Sequence, residues 1–370
     1  SNLNKSNKKK LLRIAFVGCG RISKNHIKAI AALHNEVELV AICDNKITLM
    51  DAAEDLYKNE LNQNSSILKV SLTKFSEYSD LLQASKNKKL SIDLIVFATP
   101  SGLHSSQVIS AAKLGINVCT EKPMATRWED GINMVKTCEM EKVKLFVIKQ
   151  NRLNSTMQLL KKQLDAGRFG RLSMITVNVF WHRPQSYYDQ DKWRGTWEFD
   201  GGALMNQASH YVDLLHWLIG PVESISASLA TISRNIEVED SAALQLKWRN
   251  GALGTMAVTM ITYPKNLEGS ITILGEKGTV KIGGPAVNKI EHWQFSDDQD
   301  DDDLVEKASY DTTSVYGFGH LAYYKNMVDV LKGIADPISD GREGLNSLEL
   351  IISAYRSAKD GKLINLPLES

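Results

Sequence analysis

The sequence predicts an α/β protein built from two parts: a doubly wound parallel sheet, followed by an α+β domain with a large, mostly antiparallel open sheet. In the first part, short apolar runs alternate with helical patterns, as in βαβ units. After residue 150, long alternating strands dominate, and turn pairs such as Asn250-Gly251 separate them. We therefore expect a disordered tail at 1–10, a first domain at 11–150 and a second domain at 151–370.

The composition argues against several functional classes. The 370 residues carry 44 Lys and Arg against 43 Asp and Glu, a balance that favours neither nucleic acid nor an anionic membrane surface as a partner. No apolar run reaches the length of a membrane span, and no apolar signal region follows the polar start. The four cysteines have no metal-ligand spacing. We expect a cytoplasmic protein that binds no metal and keeps its cysteines reduced.

A glycine turn follows the first apolar strand pattern. Gly18-Cys19-Gly20 comes directly after the apolar run at 13–17 and before a helical pattern. Strand, glycine turn and helix in this order are the context of a dinucleotide-binding Rossmann fingerprint. Gly18 makes the tight turn, and Gly20 lets the backbone approach a pyrophosphate at the helix N-terminus. Ser23 replaces the third glycine of the fingerprint.

The second strand pattern, 37–43, ends in a carboxylate. Asp44 stands close to the position, ~20 residues after the glycines, at which an acidic residue binds the ribose hydroxyls of a dinucleotide. An aspartate there favours NAD and repels the 2′-phosphate of NADP. The alternative is that Asp44 caps the helix that follows it.

Two later strand patterns also end in polar turns. The run at 92–98 is followed by the turn 99–104, and the run at 116–119 by Thr120-Glu121-Lys122-Pro123. The carboxyl ends of parallel strands form the ligand-binding edge of an open sheet. Proline restricts the backbone at Lys122, and a lysine held in place suits acid-base chemistry or charge stabilisation. Alternatively, Lys122 is a surface residue of an ordinary turn.

A second polar constellation follows in the second part. Gly201-Gly202 precedes an amphipathic pattern at 203–218, which predicts a helix. Asn206, His210 and Asp213 are spaced i, i+4, i+7 and would share one face of it. Histidine exchanges a proton near neutral pH, so His210 is a candidate base. The alternatives are a structural histidine and, as the weaker one, a metal ligand, because the spacing matches no standard motif.

The remaining pattern predicts long strands between residues 225 and 295 and two closing helices, near 320–333 and 341–360. An aromatic and cationic loop at 181–197 precedes these elements, and loops of this length are usually functional. Between residues 253 and 282, apolar residues occupy both alternations of the strands. We therefore expect the second face of this sheet to be a subunit interface.

Taken in order, the glycine turn, Thr120-Glu121-Lys122-Pro123 and Asn206-x-x-x-His210-x-x-Asp213 resemble the glucose-fructose oxidoreductase/inositol dehydrogenase (Gfo/Idh/MocA) family. The resemblance covers nearly the whole chain, and the combination is specific although its parts are not. Within the family, the sequence most resembles bacterial UDP-N-acetyl-2-amino-2-deoxyglucuronate dehydrogenases, and this resemblance lies at 151–152, 193–197, 206–210 and 263–269. Two departures stand out: Ser23 in the fingerprint, and Asn206 where many members have aspartate.

The resemblance implies NAD-dependent oxidation of the sugar C3 hydroxyl to a ketone in lipopolysaccharide O-antigen biosynthesis, by a homotetramer that reoxidises NADH with 2-oxoglutarate. It implies His210 as the base, alone or with Lys122, and Asn206 as the group that orients the sugar. Two alternatives are a dehydrogenase of a free sugar or inositol and an NAD-binding regulator without catalysis. Lys122 and His210 argue against the regulator, and the cationic loops favour an anionic substrate.

The site residues that the resemblance implies fall into two sets. The cofactor set lies on turns at the carboxyl edge of the first sheet: Gly18, Gly20, Arg21, Ile22, Asp44, Thr99, Pro100, Ser101, His104, Glu121, Lys122 and Gln150. The substrate set combines Lys122 with residues of the second part: Asn151, Arg152, Trp193, Arg194, Asn206, Gln207, His210, Tyr263 and Lys265.

Overall fold

Strands and helices alternate throughout the first half of the chain. The computed structural model describes residues 10–64, 70–312, 315 and 319–369, so the expected tail lies, apart from Lys10, outside the described residues. The elements are β1 (Leu12–Val17), α1 (Ser23–Ala32), β2 (Val37–Cys43), α2 (Ile47–Asn64), β3 (Thr73–Phe75), α3 (Tyr78–Lys86), β4 (Leu94–Phe97), α4 (His104–Ala112), β5 (Asn117–Thr120), α5 (Trp128–Met140) and β6 (Leu145–Val147).

These strands form one parallel sheet in the order β3-β2-β1-β4-β5-β6. The order reverses between β1 and β4, and ligands of open α/β sheets bind at such a switch point. The inner strands are buried on both faces, which explains their continuous apolar runs. The predicted doubly wound sheet is therefore confirmed.

The second half contains α6 (Ser155–Asp165), β7 (Leu172–Phe180), α7 (Gln185–Asp189), α8 (Ser209–Ile219), β8 (Val222–Ala230), β9 (Ser241–Trp248), β10 (Leu253–Thr259), β11 (Glu268–Gly275), β12 (Gly278–Gly283), β13 (Lys289–Phe295), α9 (Val305–Ala308), α10 (His320–Leu331), α11 (Gly341–Asp360) and β14 (Ile364–Asn365). Its sheet has the order β13-β12-β11-β7-β10-β9-β8-β14. Only the β7–β10 pair is parallel among these described strands, so the predicted, mostly antiparallel sheet is confirmed.

The inner face of this sheet builds the larger core. Met256, Val258 and Met260 are buried, as are Tyr211 and Leu215 of α8. The alternate positions of β10 point away from this core, and they carry threonine and alanine besides the exposed Leu253. The outer face is therefore less apolar than the sequence pattern suggested.

Helix α10 returns to the first domain. Its Tyr323, Tyr324 and Met327 are buried in one cluster with Ile14 and Phe16 of β1. The domain boundary predicted at residue 150 stays a prediction, and the chain crosses back beyond it. No helix in the described part of the chain combines the length and the apolar composition that a bilayer crossing requires.

Helix α8 begins at Ser209, so the prediction of a helix from Ala203 was wrong at its N-terminal end. Glu239 anchors the segment before the helix. Its main-chain oxygen accepts the N–H of Ala203 at 3.0 Å, and its carboxylate accepts the N–H of Leu204, also at 3.0 Å. The segment 203–208 forms turns, and Asn206 lies on these turns rather than on the helix.

Candidate active site

One pocket lies where the carboxyl edge of the first sheet meets the aromatic loop and the turns before α8. Its lining residues come from both halves of the chain: Gly20, Arg21, Ile22, Ala98, Thr99, Pro100, Ser101, Glu121, Lys122, Gln150, Tyr187, Trp193, Arg194, Asp200 and Asn206. Twelve of these fifteen were predicted from the sequence. A wider groove of ≈ 760 Å³ beside α6 and α9 contains none of the predicted residues. We therefore place the site in the pocket at the edge of the first sheet.

The glycine turn is shaped for close approach of a phosphate. Gly18 has φ +95°, and a Cβ atom there would lie 2.5 Å from the carbonyl oxygen of Ala98. A Cβ atom on Gly20 would meet no described atom within 4 Å and would extend into the pocket. Ser23 stands in place of the third fingerprint glycine. Its Oγ donates to the carbonyl oxygen of Gly20 at 2.6 Å and so helps to fix the turn.

Asp44 lies beside this turn. Its Oδ2 accepts the N–H of Cys19 at 2.8 Å, and its Oδ1 accepts the N–H of Lys46 at 2.8 Å. The carboxylate is only half-buried. The contact with Lys46 agrees with the capping alternative, and the contact with Cys19 holds the carboxylate next to the dinucleotide turn. These residues fit a dinucleotide.

The aromatic loop reaches across to the glycine turn. Arg21 Nη2 donates to Gln190 Oε1 at 3.3 Å, and Lys46 pairs with Asp191 at 3.9 Å. Arg194 donates to Asp191 at 3.0 Å and stacks on Trp193, with its Cζ 4.6 Å from the ring centre. The loop therefore forms one wall of the pocket, as its length and composition suggested.

Lys122 is the central group of the pocket. Its Nζ donates to the main-chain oxygen of Asn206 at 2.7 Å, which joins the strand-end turn of the first sheet to the turns before α8. Burial lowers the pKa of Lys122 to about 8, although the carboxylates of Glu121 and Asp200 oppose this shift. A lysine with such a pKa is partly neutral at physiological pH and can accept a proton.

Glu121 is held behind Lys122 by two histidines. Its Oε1 lies 2.5 Å from His26 Nε2 and 3.2 Å from His320 Nε2, and His26 Nδ1 is 2.7 Å from the hydroxyl of Tyr324. Burial alone would raise the pKa of Glu121, but the hydrogen bonds from both histidines keep it well below its usual range. Three such side chains can also hold a metal ion, but hydrogen bonding already accounts for their arrangement.

His210 is buried beside this charged cluster. Neither of its ring nitrogens has a hydrogen-bond partner among the described residues. Burial, followed by the positive charges of Lys122 and Lys149, drives its pKa well below the usual range. The imidazole is therefore neutral at physiological pH, but the ring is buried and His210 is not among the residues that line the pocket.

Asn206 is oriented by a carboxylate that the sequence analysis did not single out. Its Nδ2 donates to Asp200 Oδ1, and Asp200 Oδ2 accepts the N–H of Gly195 at 2.8 Å. Burial raises the pKa of Asp200. A carboxylate thus lies next to residue 206 even though that position itself holds an amide.

Asp213 faces a different partner from the one that the shared-face prediction implied. Arg152 Nε and Nη2 each donate to its carboxylate at 2.8 Å, and Arg152 Nη2 also contacts Glu343 at 3.0 Å. Arg152 is 3% exposed and does not line the pocket. Its contacts therefore give no support to the prediction that Arg152 binds substrate; its guanidinium joins α8 to α11.

Several other predicted residues also lie outside the pocket lining. His104 places its ring nitrogens 3.0 Å from the carbonyl oxygens of Thr99 and Pro123, so it ties two turns together rather than facing a cofactor. Asn151 and Gln207 are buried, and Gln207 Nε2 is 3.5 Å from the Tyr187 hydroxyl. Two more, Tyr263 and Lys265, are exposed on the loop after β10.

Fold and site together define a dinucleotide-dependent oxidoreductase with a separate substrate domain. The description "Oxidoreductase family, NAD-binding Rossmann fold" matches residues 12–149, and "Oxidoreductase family, C-terminal alpha/beta domain" matches residues 161–366. The chain belongs to this GFO/IDH/MocA oxidoreductase family, as its motifs predicted, and its cofactor is NAD.

Solved structures of family members are similar to it over their whole length. The WlbA dehydrogenase from Bordetella pertussis, in complex with NADH and UDP-GlcNAcA, is 55% identical with a TM-score of 0.90, covering 98% of this chain and 99% of that one. The WlbA dehydrogenase from Chromobacterium violaceum, with the same two ligands, is 52% identical with a TM-score of 0.88 and 97% coverage of each chain. Among related sequences, D-apiose dehydrogenase from Paraburkholderia graminis is 22% identical over 368 residues, 95% of this chain and 89% of that one.

Proposed function

We propose that this enzyme oxidises the C3 hydroxyl of UDP-N-acetyl-2-amino-2-deoxyglucuronate (UDP-GlcNAcA) to a ketone. The observation that carries the proposal is Lys122, whose pKa is about 8, in the pocket that also contains the dinucleotide turn, with the unpartnered ring of His210 near enough for the charge of Lys122 to lower its pKa. The likeness to two WlbA dehydrogenases that bind NADH and UDP-GlcNAcA supports the choice of substrate.

Lys122 is the better proton acceptor of the two. Its neutral form is available near pH 8, whereas protonation of His210 is opposed by burial and by the charge of Lys122 itself. We therefore assign proton removal from the C3 hydroxyl to Lys122 and hydrogen bonding of the same oxygen to His210. This assignment reverses the preference drawn from the sequence. The reason is electrostatic, because burial and the nearby charges of Lys122 and Lys149 disfavour a positive charge on His210.

The remaining residues of the pocket orient the sugar. Asn206 is held by Asp200 through its Nδ2, so its side-chain oxygen is the atom left to accept a hydrogen bond from the substrate. NAD, when bound at the glycine turn, supplies the acceptor for the hydride that leaves C3. After proton transfer, Glu121 and Asp200 stabilise the new charge on Lys122.

Four further statements belong to the same proposal. The domain boundary lies near residue 150, between the segments matched by the two family descriptions. The four cysteines are free and buried, which supports a reducing, cytoplasmic environment.

The open face of the second sheet joins subunits into a homotetramer. Reoxidation by 2-oxoglutarate follows from the resemblance to the UDP-uronate dehydrogenases.

A substrate panel read by NADH absorbance tests the proposal. Purified enzyme is incubated with UDP-GlcNAcA, free N-acetylglucosamine, glucose or inositol, each with and without 2-oxoglutarate. We expect turnover with UDP-GlcNAcA, and with 2-oxoglutarate we expect more ketone product but less accumulated NADH, because the cofactor is reoxidised. Preferential turnover of inositol or a free sugar would instead establish the alternative dehydrogenase, and no turnover with any of them would favour the NAD-binding regulator.

A further inference from the structure

An arginine outside the predicted site lies against a residue of the pocket lining. Arg183 follows β7 in the loop that carries Tyr187, which lines the pocket around Lys122. The N–H of Arg183 donates to the carbonyl oxygen of Met260 at 2.7 Å, and its own carbonyl oxygen accepts from Arg234 Nε at 2.8 Å. Its backbone is thus fixed at the end of the sheet.

The guanidinium of Arg183 lies over two aromatic rings. Its Cζ is 5.4 Å from the ring centre of Trp181 and 5.7 Å from that of Tyr187. Nη1 donates to the carbonyl oxygen of His182 at 3.0 Å. Arginine has five N–H donors, so most of its hydrogen-bonding capacity is not used by the described residues. The aromatic contacts hold the planar group in a defined orientation.

No carboxylate of the described residues pairs with this guanidinium, whereas other arginines near the site have a partner. Arg194 is paired with Asp191 at 3.0 Å, and Arg152 with Asp213 at 2.8 Å. Arginine remains charged at any accessible pH, and a half-buried charge is costly unless it is paired. The arrangement around Arg183 therefore suits an anion that the substrate brings.

The charge of Arg183 also reaches the reacting end of the pocket. Burial is the main cause of the lowered pKa of Lys122, and the positive charge of Arg183 adds to it. An anion bound by Arg183 would therefore lie close to the hydroxyl that Lys122 deprotonates. In a hexuronate the carboxyl carbon is bonded to C5, which is separated from C3 by C4 alone, whereas the diphosphate is attached to C1 through an oxygen, so that its first phosphorus lies one bond farther from C3.

We propose that Arg183 binds the sugar carboxylate of the substrate and thereby selects a uronate over the corresponding neutral sugar. The inference rests on the proposed function and deepens it. The planar fork of arginine matches a carboxylate through two parallel N–H···O bonds, a geometry that lysine cannot offer. The residue acts on substrate choice, and proton transfer remains with Lys122.

Binding of two nucleotide sugars to the NAD-loaded enzyme tests this role. UDP-GlcNAcA and UDP-N-acetylglucosamine differ only in the carboxylate, which is a hydroxymethyl group in the second. We expect Arg183→Gln to raise the Kd of the uronate by about 10- to 100-fold, the scale of a charged hydrogen bond, and to leave the Kd of the neutral sugar nearly unchanged. Arg183→Lys should restore part of the lost affinity.

Arg342→Gln is a matched control, because Arg342 lies on α11 with 70% of its side chain exposed and pairs with Glu139. It should change neither Kd. An equal loss of affinity for both nucleotide sugars in Arg183→Gln would mean that the residue binds the diphosphate or supports folding, and it would overturn the inference. An unchanged Kd for the uronate would overturn it as well. Failure of the wild-type enzyme to bind or turn over either nucleotide would refute the proposed function itself.

Discussion

Lys122 and His210 compete for one role at the residue scale, and their surroundings separate them. Burial disfavours a positive charge on both side chains. Lys122 retains two nearby carboxylates, Glu121 and Asp200, which limit the fall of its pKa. His210 also has Glu121 and Asp213 nearby, but burial and the charges of Lys122 and Lys149 outweigh them and hold its pKa well below the usual range. The pH dependence of the reaction therefore distinguishes the two residues.

The activity of the wild-type enzyme should rise with pH through an ionisation near pH 8, because only neutral Lys122 accepts a proton. Lys122→Met should lower kcat by at least ~10²-fold and lose this ionisation. His210→Asn should lower kcat but keep the ionisation. The measurement is kcat/KM against pH for all three proteins. An ionisation that survives in Lys122→Met and vanishes in His210→Asn would make His210 the base.

Asp44→Ala should reduce the preference for NAD over NADP by about 10-fold or more, the scale of a charged hydrogen bond to the ribose. Asp44 also accepts the N–H of Cys19, so the variant loosens the glycine turn as well. That second effect weakens the binding of NAD and NADP equally, whereas loss of the ribose contact changes the ratio of their kcat/KM values. The ratio of kcat/KM with NAD and NADP is therefore the measurement, and an unchanged ratio would remove Asp44 from the ribose site.

The sequence predicted residues whose role is visible in a short local pattern. Gly20 and Lys122 lie on turns directly after apolar strands, so the fold class alone places them at the ligand edge. Contacts between distant segments gave no such pattern. The bond between Glu121 and His320 joins residues 199 positions apart, and Asp200 reaches Asn206 because loop and turns fold back together. Tyr187 offered only its place in an aromatic loop.

At the scale of elements, a buried acid shapes the turns before α8. Glu239 is 3% exposed, and its Oε1 accepts the N–H of Leu204 and the hydroxyl of Tyr355, the latter at 2.8 Å. A helix from Ala203 was the natural expectation from periodicity. It was wrong at its N-terminal end, where the segment is held by Glu239, a residue just before β9 that the local pattern cannot connect to it.

Burial raises the pKa of Glu239 to about 7 from a usual 4.5. The folded protein therefore binds this proton more tightly than the unfolded chain, and the stability that results is complete below pH ~4.5 and lost as pH rises through ~7. Glu239→Gln keeps the acceptor oxygen without the charge. Relative to wild type, it should gain roughly 3 kcal/mol of unfolding free energy between pH 5 and pH 8.

Thermal unfolding of both proteins at pH 5 and pH 8 checks this expectation. The difference in Tm, variant minus wild type, should be more positive at pH 8. A difference that does not change with pH would mean that Glu239 is ionised throughout this range in the folded protein.

At the scale of the whole molecule, the open face of the second sheet carries an apolar row. Leu253, Met174 and Leu274 are directly paired across β10, β7 and β11, so their side chains point to the same face. They are 47%, 37% and 36% exposed. The next row on the same face consists of three threonines, Thr255, Thr176 and Thr272. Exposed apolar side chains in a row at the centre of a sheet indicate a surface that a partner covers.

Met174→Glu should therefore weaken self-association, because a carboxylate in the middle of this row would be buried without a partner. Light scattering at micromolar concentration should give an assembled mass for the wild-type protein and a smaller one for the variant. Met140→Glu is the matched control: Met140 is 75% exposed at the end of α5, on the first domain, and its replacement should leave the mass unchanged. A monomer mass for the wild-type protein would refute the proposed tetramer, and an unchanged assembly in Met174→Glu would place its interface elsewhere.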